Sequence, residues 1–147
     1  MDGGSYMFRR KPAESLMRAR VEVYPQVDIA AMAIVTTPLW PAEPTLDHAY
    51  ETFEHHARHA AFLATSGTVE ALTELVRAVR DLIGTMSRLR TESRPGYGNS
   101  VGAADQTPLD DALGVVHQAR KRYVQAARTD LGLPDGWTPI DPPDTEV

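Results

Sequence analysis

The clearest pattern in the chain is an apolar stripe over residues 69–91. Large apolar residues recur at spacings of three, four and one positions through this segment: Leu72, Leu75, Val76, Val79, Leu82, Ile83, Met86 and Leu89. This period predicts one amphipathic helix with apolar residues at the a, d and e positions of a heptad repeat. The stripe is either the core face of a helical bundle or a seam shared with a second copy of the chain. In the second case the contact residues are Leu72, Leu75, Val79, Leu82 and Met86.

A second amphipathic helix is predicted over residues 46–64, with Thr45 as its N-cap. Its apolar face is rich in alanine, which lets a neighbouring helix approach closely. The phase of the apolar pattern shifts at residues 65–68, where Gly67 either ends this helix or marks a bend.

A third long helix is predicted to begin at Pro108, to be capped by Thr107 and to stop at Gly132. Arg120 falls inside the apolar stripe of this helix. Because a buried guanidinium needs a partner, we expect Arg120 either to extend to solvent or to pair with a carboxylate on another helix.

The first 44 residues have a weaker pattern. Residues 13–24 predict a short helix that ends before Pro25. Residues 26–37 fit both the alternation of a strand and the period of a helix; we favour a helix because alanine and methionine are frequent there. A β-hairpin around Pro25 is the alternative. Three prolines within residues 38–44 predict a stiff linker.

Together these elements predict a mainly α protein, an antiparallel bundle of three long helices with one or two short N-terminal helical segments. A length of 147 residues fits one domain. We assign residues 1–12 to a flexible arm, residues 13–132 to the bundle and residues 133–147 to a mobile, acidic, proline-rich tail. Two apolar residues of that tail, Trp137 and Ile140, are expected to fold back onto the bundle.

Composition and charge narrow the classes of function. The chain has no cysteine, which excludes disulfides, thiolate catalysis and cysteine-based zinc sites. Its net charge is −5, and the excess lies from Thr129 onward, so the neutral body argues against nucleic-acid binding. No apolar run approaches the roughly 20 residues of a membrane span. We therefore predict a cytoplasmic protein without a membrane partner. The bias toward arginine over lysine is typical of GC-rich bacterial or phage genomes.

The segment HAYETFEHHARHAAF, residues 48–62, holds four of the five histidines. His48, His55 and His59 lie within about 20° of one direction on a helical wheel, opposite the alanine-rich face. A solvated polar face is the simplest interpretation. The alternative is a divalent metal such as zinc bound by His55, His59 and Glu51, although a zinc site needs three or four ligands and one helix face supplies too few.

Phe62 lies on the same face as the histidines. A face that combines Phe62 with imidazoles is a candidate second interface, weakened below a pH of about 6.5 when the imidazoles become protonated.

No serine lies in a nucleophile-elbow context, and no paired carboxylates stand out from solvated helix charges. We therefore predict a non-enzymatic protein–protein interaction or assembly module without a cofactor, which self-associates through the apolar seam of residues 69–91. The alternative is a metal-binding or pH-sensing module that uses the histidine face.

Overall fold

The computed structural model describes the backbone of residues 3–134 and the side chains of residues 13–134. Within that range the chain forms four long helices: α1 (Gly3–Val35), α2 (Thr45–Leu63), α3 (Ser66–Glu92) and α4 (Ala103–Asp130). A single turn of 3₁₀ helix, Tyr97–Asn99, lies between α3 and α4. The prediction of a mainly α protein is confirmed, and residues 3–134 contain no strand. The hairpin considered around Pro25 is therefore wrong.

The N-terminal helix is longer than the sequence predicted. The prediction that a short helix ends before Pro25 is wrong, because α1 passes through this proline without a break. The structure therefore has four long helices, where the sequence predicted three long helices and one or two short N-terminal segments. A proline inside a helix leaves the carbonyl four residues earlier without its donor. That carbonyl belongs to Val21, which is 53% exposed, so water can hydrogen-bond to it in place of the missing N–H.

The predicted arm, residues 1–12, overlaps this helix. The backbone is helical from Gly3. The separation of the arm from the bundle stays a prediction, since the described side chains begin at Ala13. Of the tail that is predicted to be mobile, residues 133–147, only Leu133 and Pro134 are described; the rest, with Trp137 and Ile140, lies outside the described residues.

The last helix also begins earlier than predicted. Thr107 is not its cap, because α4 starts at Ala103 and includes Pro108 in its interior. The carbonyl that Pro108 leaves without a donor belongs to Ala104, an exposed residue. Pro25 and Pro108 thus both lie where solvent can take over the lost hydrogen bond.

Two helix ends follow the predicted signals more closely. The break between the second and third helices is confirmed, although it falls at Ala64 and Thr65, so that Gly67 lies in the first turn of α3. Gly132 ends α4 as predicted. It has a φ of 70°, and the amides of Gly132 and Leu133 donate to the carbonyls of Thr129 and Arg128 at 3.0 and 2.9 Å. This is the Schellman pattern, in which glycine adopts the left-handed conformation at no steric cost.

The four helices share one apolar core. The most extensive packing is between α3 and α4 and between α1 and α2, while α2 with α3 and α1 with α4 make fewer contacts. Every helix contributes buried apolar side chains, and so does the linker after α1, through Leu39 and Trp40. None of the helices described over residues 3–134 is both long and apolar enough to cross a membrane.

Arginine side chains fix the ends of the helices against one another. Arg90, near the end of α3, donates from Nε to the carbonyl of Leu39 at 3.0 Å and from Nη2 to that of Pro38 at 2.9 Å. Arg20 of α1 donates from Nε to the carbonyl of Leu63, the last residue of α2, at 2.7 Å. The linker after α1 therefore lies beside the end of α3, and the end of α2 lies beside the middle of α1.

Candidate interaction surfaces

The apolar stripe of α3 faces the interior of the single chain. Leu75, Val79 and Leu82 are 0% exposed, Met86 is 1% exposed and Leu72 is 2% exposed. As folded, none of these five side chains reaches the surface, so a second copy could contact them only if the helices separated. The stripe therefore serves as the core face of the bundle, which was one of its two interpretations.

The histidine face of α2 points to solvent. His48, His55, His59 and Glu51 are exposed, and His56 is half-buried. The rings of His55 and His56 meet edge to face with centroids 5.4 Å apart. Among the described residues no three histidine, aspartate or glutamate side chains come close enough together to hold a metal ion. The candidate ligands Glu51, His55 and His59 thus share a face but do not converge.

Phe62 lies at the end of the same face and is 90% exposed. The neighbouring Ala61 is exposed as well, and Leu63 is half-buried against the core. Phe62 is therefore an isolated exposed aromatic ring rather than the centre of a broad apolar patch.

A polar connection crosses the core between α1 and α4. Arg120, the buried basic residue noted in the sequence, donates from Nη2 to Oδ2 of Asp28 at 3.2 Å and from Nε to Oδ1 of the same carboxylate. Beside this pair the hydroxyl of Tyr123 donates to the carbonyl of Tyr24 at 2.9 Å. The expected pairing of Arg120 with a carboxylate on another helix is confirmed. Burial is the main cause that raises the pKa of the Tyr123 hydroxyl.

Asp130 links α4 to α1 and to the start of α3. Its Oδ2 accepts a hydrogen bond from the Tyr24 hydroxyl at 2.8 Å, and its Oδ1 accepts one from the Thr65 hydroxyl at 2.7 Å. Thr65 is the N-cap of α3, so a carboxylate from α4 lies at the positive end of the α3 dipole. Partial burial raises the pKa of Asp130. The hydrogen bonds from Thr65 and Tyr24 lower this pKa by more than burial raises it, so the net pKa lies below the usual value.

A row of exposed apolar residues lies on α1. Met17, Val21, Pro25 and Ile29 repeat every four residues, and we call this row the α1 ridge. Met17 is 39% exposed, Val21 53% and Ile29 59%, and Pro25 is exposed as well. Leu16 adds a further side chain that is 37% exposed. Side chains of both charges border the row, namely Glu14, Arg18 and Glu22.

Two grooves flank α4. The wider one, about 890 Å³, runs between α3 and α4 and is lined by six charged residues, by Gly114 and by the exposed Val115. Its acidic and basic groups compensate each other in part; Arg122, for example, donates to Glu74 at 3.0 Å. The narrower groove, about 280 Å³, runs between α1 and α4 and is mostly apolar. We call it the α1–α4 groove.

Comparison with known proteins does not assign the chain to a group. No protein-family model matches it, and no curated protein or solved structure shows significant similarity.

Sequence reasoning missed Asp130 and the α1 ridge. The sequence analysis uses Asp130 only in the acidic excess from Thr129 onward, although an acidic residue in the last helical turn, where a basic residue suits the dipole, signals that another group compensates it. The prediction that a helix ends before Pro25 divides the ridge between two elements. Once one helix is drawn through Pro25, the four-residue spacing of the ridge is visible in the sequence.

Proposed function

We propose that the protein is a non-enzymatic protein–protein interaction module that self-associates through the α1 ridge. The observation that carries this proposal is the exposure of three large apolar side chains, Met17, Val21 and Ile29, in one row of a single helix. Scattered exposed apolar residues are common on proteins, but a contiguous row bordered by charged residues is typical of an interface.

The geometry of the row favours a second copy of the same helix as the partner. Residues spaced by four form the ridges that interdigitate when two helices cross at about −50°, the commonest class of helix packing. Two identical ridges satisfy this packing with each other, and a two-fold axis brings the same patch of both copies together. The borders, Glu14 and Glu22 with Arg18, offer groups of opposite charge to a rotated copy.

This interface replaces the seam of residues 69–91 as the proposed contact. Using the seam would require Leu75, Val79 and Leu82 to leave the core, and exposing a large apolar side chain costs about 1.5–3 kcal/mol each. The α1 ridge needs no such rearrangement, because its side chains already lie at the surface.

An antiparallel arrangement of the four helices belongs to the same proposal. The hydrogen bonds from Arg20 to the end of α2 and from Arg90 to the linker after α1 support alternating directions along the chain. In such a bundle each helix packs against two neighbours and keeps an outward face, and on α1 that face carries the ridge.

Light scattering after size exclusion, over a range of protein concentrations, tests the proposal. We expect the wild type to form a dimer and the variants Val21→Glu and Ile29→Glu to shift it toward the monomer. Val115→Glu is the matched control, since Val115 is an apolar residue with similar exposure, 57%, on α4. A wild type that remains monomeric at all concentrations, or an equal effect of the control, would contradict the proposal.

A further inference from the structure

We propose that a groove between α2 and α3 binds a small organic acid that has an apolar tail. We call it the α2–α3 groove; its walls come from residues 54–61 of α2 and residues 69–80 of α3. All of its lining residues within the described range belong to these two helices, so binding there does not depend on self-association through the α1 ridge. Three features of the groove support this binding: its shape, the charges toward one end, and the donors that those charges leave unused.

Small side chains on α2 leave the space that forms the groove. The helices α2 and α3 are joined by only two residues, yet they pack against each other less extensively than α3 and α4 do. The space between them has a volume of about 310 Å³, within the range of roughly 300–1,000 Å³ typical of small-molecule sites. The facing residues are Ala57 and Ala61 on α2 and Val69, Thr73 and Val76 on α3. The groove is therefore large enough for one small molecule with an apolar body.

The charged residues of the groove lie toward the end away from the break between α2 and α3. Among the lining residues they are Glu54, Arg58 and Arg80. Glu54 accepts a hydrogen bond from the hydroxyl of Tyr50 at 2.7 Å, and this bond is the main cause that lowers the pKa of Glu54. Glu54 is thus a carboxylate at neutral pH, and the two guanidinium groups outnumber it. The positive excess favours an anionic group of a ligand at this end.

Glu54 holds the two arginines without using all of their donors. Arg58 donates from Nη2 to Glu54 at 3.3 Å. Arg80 donates from Nε to the hydroxyl of Tyr50 at 3.0 Å, and its Nη2 lies 3.5 Å from Glu54. A guanidinium carries five N–H donors, so both arginines keep N–H groups beyond those that the described residues use. Because guanidinium and carboxylate groups match in a two-pronged geometry, a ligand carboxylate can bind here while Glu54 stays paired.

The two ends of the groove set the orientation of the ligand. Ala61 and Val69 line the end next to the break between the helices, and Leu72, which is 2% exposed, lies between the two ends. A ligand whose carboxylate lies at Arg58 and Arg80 therefore places its tail against apolar side chains. Mostly apolar walls with a few polar groups that fix orientation are typical of small-molecule sites.

Isothermal titration calorimetry of the full-length chain with octanoate tests this binding. We expect saturable binding of about one octanoate per chain, with a dissociation constant in the millimolar range or below for a ligand of about ten non-hydrogen atoms. Octanol and octylammonium have a tail of the same length but a neutral and a positive head. Each should bind on the order of tenfold more weakly than octanoate, because neither offers a carboxylate to the arginines.

Variants of the charged end test the carboxylate contact. The double variant Arg58→Gln with Arg80→Gln should raise the dissociation constant for octanoate about tenfold. This is near the lower end for hydrogen bonds to a charged group, because the two side chains are 80% and 64% exposed. Arg88→Gln, at an exposed arginine further along α3, is the matched control and should leave the affinity unchanged.

A variant of the apolar end tests the tail contact. Ala61→Leu fills the groove with a side chain that suits a helix, and it should abolish octanoate binding. Ala61 is exposed, so the change does not disturb the core, and circular dichroism checks that the variant is folded. Ala104→Leu, at an exposed alanine in the first turn of α4, is the matched control and should bind as the wild type does.

Four results would overturn the proposed site. The first is no saturable binding of octanoate by the wild type at millimolar concentrations, and the second is binding of octanol as tight as that of octanoate. The third is unchanged affinity in Ala61→Leu, which would place the bound acid elsewhere. The fourth is binding that weakens as the protein concentration rises, which would assign the groove to a second copy of the chain.

Discussion

Arg120 of α4 and Asp28 of α1 form a two-pronged ion pair in the interior, with side chains that are 10% and 24% exposed. The two residues are 92 positions apart in the sequence. A fork of two N–H donors matches the two carboxylate oxygens and fixes the relative rotation of both helices. The pair thus fixes the relative orientation of α1 and α4, two helices that pack against each other less extensively than α1 and α2 do.

Removing one partner of this pair should destabilise the protein more than removing both. Arg120→Ala leaves the Asp28 carboxylate partly buried and unpaired, and we expect a loss of about 2–4 kcal/mol, since remaining exposure reduces the full cost of a buried charge. The double variant Asp28→Leu with Arg120→Met should recover much of this loss. Urea unfolding measures the unfolding free energy of the single variant and of the double variant. A single-variant loss below about 0.5 kcal/mol would mean that the pair contributes little, as surface pairs do.

Asp130 should make part of the stability depend on acid pH. Because the folded state lowers its pKa, its contribution is fully present above the pKa of an unfolded aspartate, about 3.9, and is lost as pH falls through the lower pKa of the folded state. Asp130→Asn should cost about 1 kcal/mol at pH 7 through weakened hydrogen bonds with Tyr24 and Thr65.

The difference in unfolding free energy between the wild type and Asp130→Asn, measured from pH 7 down to pH 3, checks this dependence. It should shrink as the pH falls through that window. Asp81→Asn, at an exposed aspartate on α3, is the control. A difference that stays constant down to pH 3 would show that the Asp130 carboxylate does not contribute through its charge.

The parts of the fold that the sequence predicted are those governed by local signals. The heptad spacing of α3 and the stop at Gly132 each depend on residues within one or two turns, and both are confirmed. The helix end predicted before Pro25 is wrong because the energetic cost of an internal proline depends on tertiary structure. This cost is small where the unpaired carbonyl, here that of Val21, faces water. The sequence alone does not show that exposure.

The candidate surfaces were less predictable for a related reason. Arg120 was recognisable as a charge within an apolar stripe, but its partner Asp28 lies on a helix far away in the sequence. The interaction of Asp130 with Thr65 likewise depends on two helix ends meeting in space. Periodicity identifies which face of a helix is buried, and it does not identify which polar groups meet across the core.

The seam of α3 should behave as core in mutagenesis. Leu82→Ala removes a fully buried side chain and should cost about 2–5 kcal/mol of unfolding free energy. Val115→Ala, at an exposed apolar position, should change the stability by no more than about 0.5 kcal/mol. Urea unfolding measures stability and light scattering measures self-association, so together they distinguish a core role of Leu82 from a role in the contact between copies. If Leu82→Ala abolished self-association with little loss of monomer stability, the seam rather than the α1 ridge would be the contact between copies.

The histidine face should tolerate substitution. His55 and His59 are exposed and share their face with Glu51, but they lack a converging third ligand among the described residues, so a double change to alanine should alter stability by no more than about 0.5 kcal/mol. Two imidazoles on one exposed turn leave a zinc ion short of its four ligands, and only weak, sub-stoichiometric zinc is expected after dialysis of untagged protein. His117→Ala, at an exposed histidine of α4, is the control. One equivalent of zinc that is retained by the wild type and the control, and lost in the double variant, would instead establish the metal-binding alternative, with further ligands supplied by a second copy or by residues outside the described range.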